Sequence, residues 1–590
     1  MSKIGQVTAS SPNSVIIQID DLSTFESSKE GLQVGSYLKI AEGNHNFIIA
    51  MIKNIKGDYK VTDSGQEWSF LVECQPLGKL NQDGKFERGS SVLPVPTEPV
   101  HEVDEATLKE IFDSNSKYNF TLGKPIISDE FDFKVDGDKF FGKHTAVVGS
   151  TGSGKSCTVS KIIQEVVGIN GEKNSNIEKQ NNAHIVIFDI HSEYEAAFKL
   201  EAEQKFTLNT LTIDNFNLPY WLMNSEELES MFIESNEANS HNQVSQFKQA
   251  VILNKQKHNP NIDEVTYDSP IYFSIKEVYN YIENMNREMI GKTEADGNLP
   301  KLADGTLVDK RENYYFNKVH DFVPQSNSKA DKASGGPFNG EFNRFVSRLE
   351  TKLSDRRLNF LLEPNNSDGS PLKTEDFEEI MKQFLGYLNK SNITIVDLSG
   401  VPFEVLSITV SLVSRLIFDF CFHYSKLQHS QQLLNDIPVL LVCEEAHNYV
   451  PQSENVAFRS SKKSIERIAK EGRKYGLSLM IVSQRPSEIS ESIFSQCNNF
   501  ISLRLTNNND QKYVKYLLPD NSTSLVDVLP NLSSGEGIVV GDSVILPMVV
   551  KFPKPMPEPR SQSVNSYKEW QTEWKDITFE EVIKKWRKEN

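Results

Sequence analysis

"VVGSTGSGKSCTVSKII", residues 147–163, decides the fold class of this chain. An apolar run leads into a glycine-rich turn of the pattern G-x-x-x-x-G-K-S, and an amphipathic segment follows. Glycines let backbone N–H groups surround phosphate oxygens, and a helix after the turn points its positive N-terminus at the same anion. The stretch therefore predicts a strand, a phosphate-binding loop and a helix.

The predicted ligand of this loop is ATP with Mg²⁺. Lys155 is expected to reach the outer phosphates, and the Ser156 hydroxyl is expected to ligate the ion. The apolar residues Val159, Ile162 and Val166 recur at helical spacing, which argues against a chance loop of glycine and serine. The predicted nucleotide-binding residues are Gly149, Ser150, Thr151, Gly152, Ser153, Gly154, Lys155, Ser156 and Cys157.

The composition is that of a globular protein with an acidic balance. The 590 residues carry a net charge of −18, which argues against a surface coated with nucleic-acid-binding sites but leaves room for a basic channel inside an assembly. The five cysteines show no C-x-x-C spacing, so neither a zinc site nor a disulfide framework is expected. Because the N-terminus also lacks the apolar core of a signal peptide, we expect a cytoplasmic protein with no membrane partner.

Periodicity divides the chain into five segments. Short β-prone runs separated by turn residues predict a small antiparallel barrel, and the proline-rich stretch ending at Val100 predicts a linker. Near-continuous apolar runs between helical segments predict an α/β core with a mainly parallel sheet. The predicted units are the barrel and linker (1–100), the first part of the core (101–214), an inserted helical subdomain (215–390), the second part of the core (391–555) and a helical tail (556–590).

Two apolar features need a structural explanation. The stretch "VLSITVSLVSRLIFDFCF", from Val405, carries Arg415 and Asp419, which are too polar for a membrane span and predict a buried helix. The tail contains three tryptophans, which we expect to be buried against some surface.

"PVLLVCEEAH", from Pro438, places two carboxylates at the end of an apolar strand. Parallel sheets bind ligands beyond the carboxyl ends of their strands, and ATP hydrolysis requires a carboxylate near Mg²⁺ and a group that activates water. Glu444 is predicted to lie on the Mg²⁺ side, where Asp is usual, and Glu445 beside the water. Gln484, at the end of "LSLMIVSQ", is predicted to sense the γ-phosphate, with a strand-capping amide as the alternative.

Further polar groups follow other strands and helices. "FDIHSEYE" places Asp189, His191 and Glu193 at a strand end, but no second His or Cys pair lies at zinc-ligand spacing, so a structural or coupling role beside the nucleotide is favoured. Because charge develops on the γ-phosphoryl group, a cation is also expected. Arg467 and Arg473, in "SIERIAKEGRKYG", are the candidates if they face a neighbouring subunit, and surface helix charges otherwise.

Five motifs, in this order, resemble the HerA-type ATPases of the HerA/FtsK superfamily: "VVGSTGSGKS", "FDIHSEYE", "DLSGVP", "EEAHNYVP" and "RIAKEGRKYGLSLMIVSQRP". The N-terminal barrel resembles the HAS barrel of that family, and "NLPYWLMNSEEL", from Asn217, resembles the entry to its helical insert. The resemblance implies a RecA-like P-loop ATPase core in a hexameric ring that threads DNA through a central pore.

The resemblance also implies roles for single residues. Lys155 and Ser156 match the phosphate-loop pair, Glu444 and Glu445 match the Walker B pair, and Gln484 matches the sensor.

Two cations remain to be matched. The resemblance implies a basic residue just before the phosphate-loop strand that acts within the same chain, and "FGKHTAVVG" places Lys143 there, where arginine is expected. Lysine lacks the planar fork that binds phosphate through two bonds. The arginine supplied by a neighbour stays open between Arg467 and Arg473, with Arg467 slightly favoured.

HerA-like ATPases work with a separate effector, which is a nuclease or, in bacterial two-gene antiphage systems, a sirtuin-like NADase. The sequence shows no nuclease carboxylate–lysine cluster and no NAD-binding fingerprint. The resemblance therefore implies that effector chemistry resides on a partner chain, in antiviral defence or DNA processing.

Candidate DNA contacts lie in two stretches. Arg459, Lys462 and Lys463, in "ENVAFRSSKKSIERI", are the first candidates for pore residues, and Lys329 and Lys332 are the second. Such charges are often no more than a solvated face. Because few aromatic residues interleave these stretches, tracking of the phosphate backbone without sequence specificity is favoured over base stacking.

Two functions fit these features. The first is a ring-forming, ATP-hydrolysing DNA translocase or helicase that works with an effector. The second is an oligomeric scaffold that nucleotide switches and that activates an effector without processive movement. The acidic net charge and the absence of an obvious basic stripe motivate the second function.

Overall fold

The computed structural model describes most of the chain. The described residues are 3–12, 14–19, 22–27, 32–43, 46–62, 65–89, 93–113, 117–170, 173–174, 181–200, 206–233, 240–366, 368–453, 459–518, 520–561 and 564–587. Within them the chain forms a barrel, a large mixed sheet flanked by helices, a helical insert and a short helical tail.

The first unit is a closed antiparallel barrel. Its elements are β1 (Lys3–Ser11), β2 (Ser14–Ile19), α1 (Leu22–Ser27), β3 (Tyr37–Glu42), β4 (Asn46–Thr62), β5 (Gly65–Leu80), β6 (Phe86–Arg88) and β7 (Pro99–Glu102). Strand β2 pairs with both β1 and β5, which closes the ring β2-β1-β7-β3-β4-β5, and β6 adds to β5. Alternate residues of β2 (Val15, Ile17 and Ile19) point into the barrel core. The predicted barrel is confirmed.

The predicted linker differs from the structure at its end. Pro99 and Val100 belong to β7, which pairs with β1 and β3, so the barrel extends to Glu102. A proline is accepted at the first position of a strand because its missing N–H costs no ladder hydrogen bond there.

The first part of the core and the insert follow. The core elements are α2 (Glu105–Asp113), β8 (Tyr118–Pro125), β9 (Phe133–Asp136), α3 (Gly137–Phe141), β10 (Thr145–Val148), α4 (Lys155–Val167), β11 (Ile169–Asn170), β12 (Lys173–Asn174), β13 (His184–Asp189), α5 (Glu195–Phe198) and β14 (Leu208–Leu211). The insert contains α6 (Ser225–Phe232), α7 (Ser240–His258), α8 (Ile275–Arg287), β15 (Met289–Gly291), α9 (Arg311–Tyr314), β16 (Ala333–Gly335), α10 (Asn343–Leu353), α11 (Asn359–Leu362) and α12 (Phe377–Leu385).

The second part of the core completes the large sheet. Its elements are β17 (Ile393–Asp397), α13 (Phe403–Ser430), β18 (Val439–Cys443), α14 (Arg459–Glu471), β19 (Leu477–Ser483), α15 (Glu491–Phe494), β20 (Asn499–Leu503), α16 (Asn508–Leu517), β21 (Glu536–Gly541) and β22 (Met548–Lys551). The tail carries α17 (Ser566–Trp570) and α18 (Phe579–Arg587).

The large sheet has eleven strands in the order β14-β17-β13-β18-β19-β10-β20-β21-β22-β8-β9. Its first seven strands are mutually parallel, as predicted, and the last four join antiparallel. The four parallel strands β18, β19, β10 and β20, in the middle of the sheet, are buried throughout, as an apolar run covered on both faces requires. Their carboxyl ends therefore share one edge of the sheet, and their amino ends share the other.

Helix α13 is the predicted buried helix. Among the described residues it is the one helix with the length and apolar composition of a membrane span, and 78% of its most apolar window is buried in the protein. Its Arg415 forms an ion pair with the buried Glu227 of α6, with 2.8 Å between Nη2 and Oε2. This pair fastens the helical insert to the core.

The barrel and the tail sit differently on the core. Arg88 of β6 donates a hydrogen bond of 2.6 Å to the carbonyl of Gly541, and the Tyr37 hydroxyl donates to the carbonyl of Pro547, so the barrel is anchored at the β21–β22 connection. In contrast, the tail tryptophans Trp570, Trp574 and Trp586 are 81%, 93% and 85% exposed. The expectation that they are buried is wrong for the single chain, because no described element of the chain packs over them.

Candidate nucleotide site

The phosphate loop connects β10 to α4 and has the backbone that its glycines permit. Gly152 and Gly154 have φ values of 73° and 100°, in the left-handed region that other residues avoid. A side chain at Gly149 would collide with Ser153, whose buried hydroxyl has no hydrogen-bond partner among the described residues. Lys155 begins α4 and is 8% exposed. An inward-facing hydroxyl and a buried ammonium group fit a bound phosphate chain.

The outer residues of the loop are held by neighbouring segments. Thr151 donates a hydrogen bond of 2.6 Å to the side-chain oxygen of Gln484, the residue after β19. Ser534 donates to the carbonyl of Gly152, and the N–H of Gly535 donates to the carbonyl of Ser153. The loop is thus braced from both sides, and the predicted sensor contacts it directly.

Glu444 and Glu445 follow β18 and are 2% and 6% exposed. Burial, together with the neighbouring charges of Glu445 and Asp189, raises the pKa of Glu444 to about 9. Its Oε2 atom is buried with no hydrogen-bond partner among the described residues. A buried carboxylate oxygen with no partner, beside Lys155, fits a bound cation. We therefore assign Glu444, with the partly buried Ser156 at the start of α4, as the residues that would hold Mg²⁺ with the nucleotide.

Glu445 is held in a different way. Its φ of 44° is a left-handed conformation that costs a non-glycine residue on the order of 1 to 2 kcal/mol. Its Oε2 atom lies 3.1 Å from Nδ1 of His447 and 3.5 Å from the N–H of Gln484. Burial acts to raise the pKa of Glu445, but the hydrogen bond from His447 and the charge of Lys155 outweigh it, so the pKa is lowered. The carboxylate is therefore kept ionised, as a base must be.

The Asp189 carboxylate stabilises the loop that follows its own strand. Asp189 ends β13 and accepts hydrogen bonds from the N–H groups of Glu193 (3.1 Å) and Tyr194 (2.8 Å). The Glu193 carboxylate is close enough to shift the pKa values of Lys155 and Glu444, whereas His191 is exposed. Among the described residues no group of three His, Cys, Asp or Glu side chains has the spacing of a metal site. This arrangement agrees with a structural role beside the nucleotide.

Lys143 lies before β10, as expected, at the opposite end of that strand from the phosphate loop. It precedes β10, whereas the phosphate loop follows β10, so the four residues of the strand separate them by about 13 Å at ~3.3 Å per residue. Its Nζ atom instead lies 2.6 Å from Oδ2 of Asp542. In this position Lys143 does not contact the phosphate loop of its own chain. Arg473, which precedes β19, lies at the same amino edge and donates a hydrogen bond of 2.7 Å to Asn498.

Arg467 and Lys463 line a separate cleft of about 130 Å³ between α6, α13 and α14. The Arg467 guanidinium lies 4.3 Å from the ring centre of Phe418 and pairs with Asp419 at 3.5 Å. Lys463 forms a short ion pair with Glu226. Neither residue joins the phosphate loop of its own chain.

The other DNA candidates are dispersed. Lys462 lies 3.3 Å from the carbonyl of Gln452. Arg459 begins α14, but its side chain lies outside the described residues. Lys329 and Lys332 are exposed on the insert, next to β16. The structure brings Lys462 and Lys463 onto one helix and leaves Lys329 and Lys332 on a different unit.

Sequence reasoning missed several residues that shape the site. His447 contacts Glu445, although the role of His447 was not predicted from the quoted "EEAH" motif. Ser483 lies behind it, with its Oγ 3.2 Å from His447 Nδ1. Arg504, just after β20, accepts a hydrogen bond from the N–H of Ser150 through its carbonyl, and its buried Nε has no partner among the described residues. The rule that polar residues at strand ends face the ligand would have found Arg504 in "NNFISLRLTN".

The chain is similar to several known proteins. The family model of the helicase HerA central domain matches residues 120–417. A probable helicase of Methanocaldococcus jannaschii is 24% identical over 560 residues, covering 91% of this chain and 89% of that protein. The DNA double-strand break repair helicase HerA of Sulfolobus acidocaldarius is 26% identical over 510 residues, covering 85% and 82%. The solved structure of VirB4 of Thermoanaerobacter pseudethanolicus aligns with a TM-score of 0.43 at 13% identity, covering 74% of this chain and 97% of that one.

Proposed function

Since the chain belongs to the HerA helicase family, we propose that it is an ATP-driven motor that moves DNA through a ring of its own copies. The observation that carries the proposal is the meeting of three strand ends at one sheet edge. There the buried Glu444 and Glu445 approach Lys155, and Gln484 contacts the phosphate loop through Thr151. The chain is an ATPase, and the names of its relatives indicate DNA as the substrate on which ATP energy is spent.

Each residue of this edge has a defined task in hydrolysis. Lys155 and the backbone of the phosphate loop hold the phosphates in place. Glu445 accepts the proton of the attacking water, and His447 keeps its carboxylate aligned. Gln484 orients the same water or the γ-phosphate. Ser156 and Glu444 would hold Mg²⁺, which would supply charge neutralisation at the phosphate oxygens.

The ring is proposed because two cations face away from the nucleotide of their own chain. Lys143 and Arg473 both lie at the amino edge of the sheet, whereas the phosphate loop lies at the carboxyl edge. Head-to-tail packing of identical copies brings opposite edges together and closes into a ring when the rotation permits. We infer a hexamer in which Arg473, with Lys143, stabilises the charge that develops on the neighbour's γ-phosphoryl group. Arg473 replaces Arg467 as the favoured residue, because Arg467 is stacked on Phe418 and paired with Asp419.

The first test separates ATP hydrolysis from its use. Purified protein is expected to hydrolyse ATP in the presence of Mg²⁺, and duplex DNA is expected to raise the rate. In a single-molecule assay the protein is expected to move along DNA while ATP is present. A protein that hydrolyses ATP and activates a partner but never moves on DNA would contradict the motor and leave the scaffold function in its place.

DNA contact is assigned to Lys462 and Lys463 on α14, which begins directly after residues 454–458. Replacing both with alanine is expected to weaken DNA binding and to reduce the slope of log affinity against log salt by about 2, since each phosphate contact contributes ~0.9. The matched control is the double alanine variant of Lys329 and Lys332 on the insert. Equal losses in the two double variants would contradict the assignment.

The effector is proposed to be a separate nuclease or sirtuin-like NADase in antiviral defence or DNA processing. The proposal rests on the family resemblance and on the DNA-repair names of relatives. Expression of the chain together with the product of the neighbouring open reading frame, followed by co-purification and a nuclease or NAD-cleavage assay, tests it. A neighbour that neither binds nor changes activity would contradict this partnership.

A further inference from the structure

Four side chains form a continuous chain of contacts at the amino edge of the large sheet. Nη1 of Arg473 donates to Oδ1 of Asn498 at 2.7 Å, and Nδ2 of Asn498 lies 3.3 Å from Oδ2 of Asp542. The same Oδ2 atom accepts from Nζ of Lys143 at 2.6 Å. The four residues come from four different strand ends, at β19, β20, β21 and β10, so the fold and not local sequence brings them together.

We propose that Asn498 and Asp542 are positioning residues that hold Arg473 and Lys143 as a preformed pair of cations for the nucleotide of a neighbouring copy. The inference rests on the proposed function, because it requires that these cations act between chains. It assigns work to two residues that touch no nucleotide, and it explains why both cations stand at the same edge.

The backbone under this contact chain is fixed at several points. The N–H of Asp542 donates to the carbonyl of Asn498 at 3.1 Å, and the N–H of Asn498 donates to the carbonyl of His144 at 2.9 Å. Gly541 has a φ of 139°, and a side chain there would collide with the carbonyl of Asn498, so glycine is required for this close approach. The strand ends that carry the anchors therefore cannot shift independently.

His144 ties both cations to the same frame. It is fully buried, its Nδ1 accepts from the N–H of Leu479, and its Nε2 lies 2.9 Å from the carbonyl of Ala469. Burial lowers the pKa of His144 to about 4, so the ring is neutral, with Nδ1 as acceptor and Nε2–H as donor. Because Ala469 lies near the end of α14, just before Arg473, His144 fixes the arginine relative to the start of β10, where Lys143 lies.

The exposure of the ion pair between Lys143 and Asp542 indicates that the pair positions side chains and contributes little to folding stability. The Lys143 and Asp542 side chains are 31% and 47% exposed, and ion pairs with such access to water add little to folding stability. The same access leaves Lys143 and Arg473 within reach of another subunit. A carboxylate accepts a hydrogen bond from Lys143, and an amide oxygen accepts one from Arg473. These bonds restrict the two long side chains in advance, so less conformational entropy is lost when they bind a phosphate.

The first experiment compares Asp542→Asn with wild-type protein. The variant is expected to lower kcat for ATP about 10-fold and to change KM less than twofold, because the cations act on charge that appears in the transition state. Asp542→Glu is expected to restore most of the rate. Asp527→Asn is the matched control, because Asp527 forms an exposed ion pair with Lys515 at 3.0 Å, elsewhere on the surface. A wild-type kcat in Asp542→Asn would overturn the proposal.

The second experiment tests action between chains. Asp542→Asn chains keep their own phosphate site, and Lys155→Ala chains keep the cation pair but lose their own site. Mixed rings are expected to hydrolyse ATP several-fold faster than the sum of the two variants, because Lys155→Ala neighbours supply ordered cations to Asp542→Asn sites. Nucleotide binding by Asp542→Asn shows that this variant is folded, and strictly additive activity in mixed rings of folded chains would overturn the proposal.

The failure of this inference and that of the proposed function give different results. If Arg473→Ala retains full activity, Arg473 is not the arginine supplied in trans, and the ring chemistry proposed for it fails together with the inference. If Arg473→Ala loses activity that mixing restores, while Asp542→Asn and Asn498→Ala behave as wild type, only the positioning role is overturned.

Discussion

The two edges of the large sheet differ in charge and in burial. At the carboxyl edge the chemistry is buried and acidic: Glu444, Glu445 and Asp189 are less than 9% exposed and crowd one buried Lys155. At the amino edge Lys143 and Arg473 reach the surface and are held by a neutral amide and an exposed carboxylate. One edge gathers buried carboxylates around Lys155, and the other presents Lys143 and Arg473 at the surface. In the function proposed above, a complete site therefore takes two copies, one contributing each edge.

Removing the base is expected to have the largest effect on the carboxyl edge. Glu445→Gln should lower kcat about 10³-fold, within the range for loss of a general base, and leave ATP binding within a few-fold of wild type. Steady-state hydrolysis and nucleotide titration measure the two quantities. The exposed Glu580, in the tail, provides the control variant Glu580→Gln, which should hydrolyse ATP normally. If Glu445→Gln retains wild-type kcat, the carboxyl edge does not contain the base.

Removing the arginine tests the amino edge. Arg473→Ala should lower kcat about 10²-fold, as loss of a preorganised group at the transition state does. Arg467→Ala, which removes a cation from the cleft beside Phe418, is the matched control and should lose far less. A larger loss of kcat in Arg467→Ala than in Arg473→Ala would assign the role in trans to Arg467 and would contradict the contrast between the two edges.

A smaller, pH-dependent effect is expected at His447. The pKa of Glu445 is lowered in part by His447, so its carboxylate stays ionised as pH falls until that lowered pKa is reached. In His447→Ala the pKa of Glu445 should rise, and the acid limb of the kcat profile should move to higher pH. We expect a loss that is largest at acidic pH and shrinks as the pH rises towards 8. A profile that drops by one constant factor at every pH would contradict this role.

The last prediction concerns folding stability instead of catalysis. The folded-state pKa of Glu444, about 9, lies above its unfolded value, so unfolding releases a proton and stability declines as pH rises from about 4.5 towards 9. Glu444→Gln should abolish much of this decline and stabilise the Mg²⁺-free protein at pH 8 by on the order of 2 kcal/mol. Thermal unfolding at pH 6 and pH 8 measures it. Equal pH dependence in both proteins would remove Glu444 as the source.

The carboxyl edge was largely predictable from sequence and the amino edge was not. Lys155, Glu444 and Gln484 each follow an apolar run, and parallel strands gather such residues at a single edge. Lys143 is near the phosphate loop in sequence, but the extended strand β10 lies between them and places them at opposite edges of the sheet. The contact chain through Asn498 and Asp542 joins residues up to 399 positions apart, and no local period reports such a contact.

The insert and the barrel also contain features that local sequence does not predict. Helical periodicity predicted the insert, yet its fastening through Glu227 and Arg415 depends on which helix faces meet, with partners 188 residues apart. The proline-rich stretch predicted a linker because proline disfavours strands. In the structure Pro99 occupies the first position of β7, where its missing N–H is tolerated.

The exposed tail has an optical consequence. The chain has five tryptophans; Trp221 is fully buried, Trp68 is partly exposed, and the remaining three project into water. Intrinsic fluorescence of the single chain should therefore be red-shifted and readily quenched by iodide. Any molecule that covers the tail will shift the emission to the blue, so the protein can signal its own engagement without an added label.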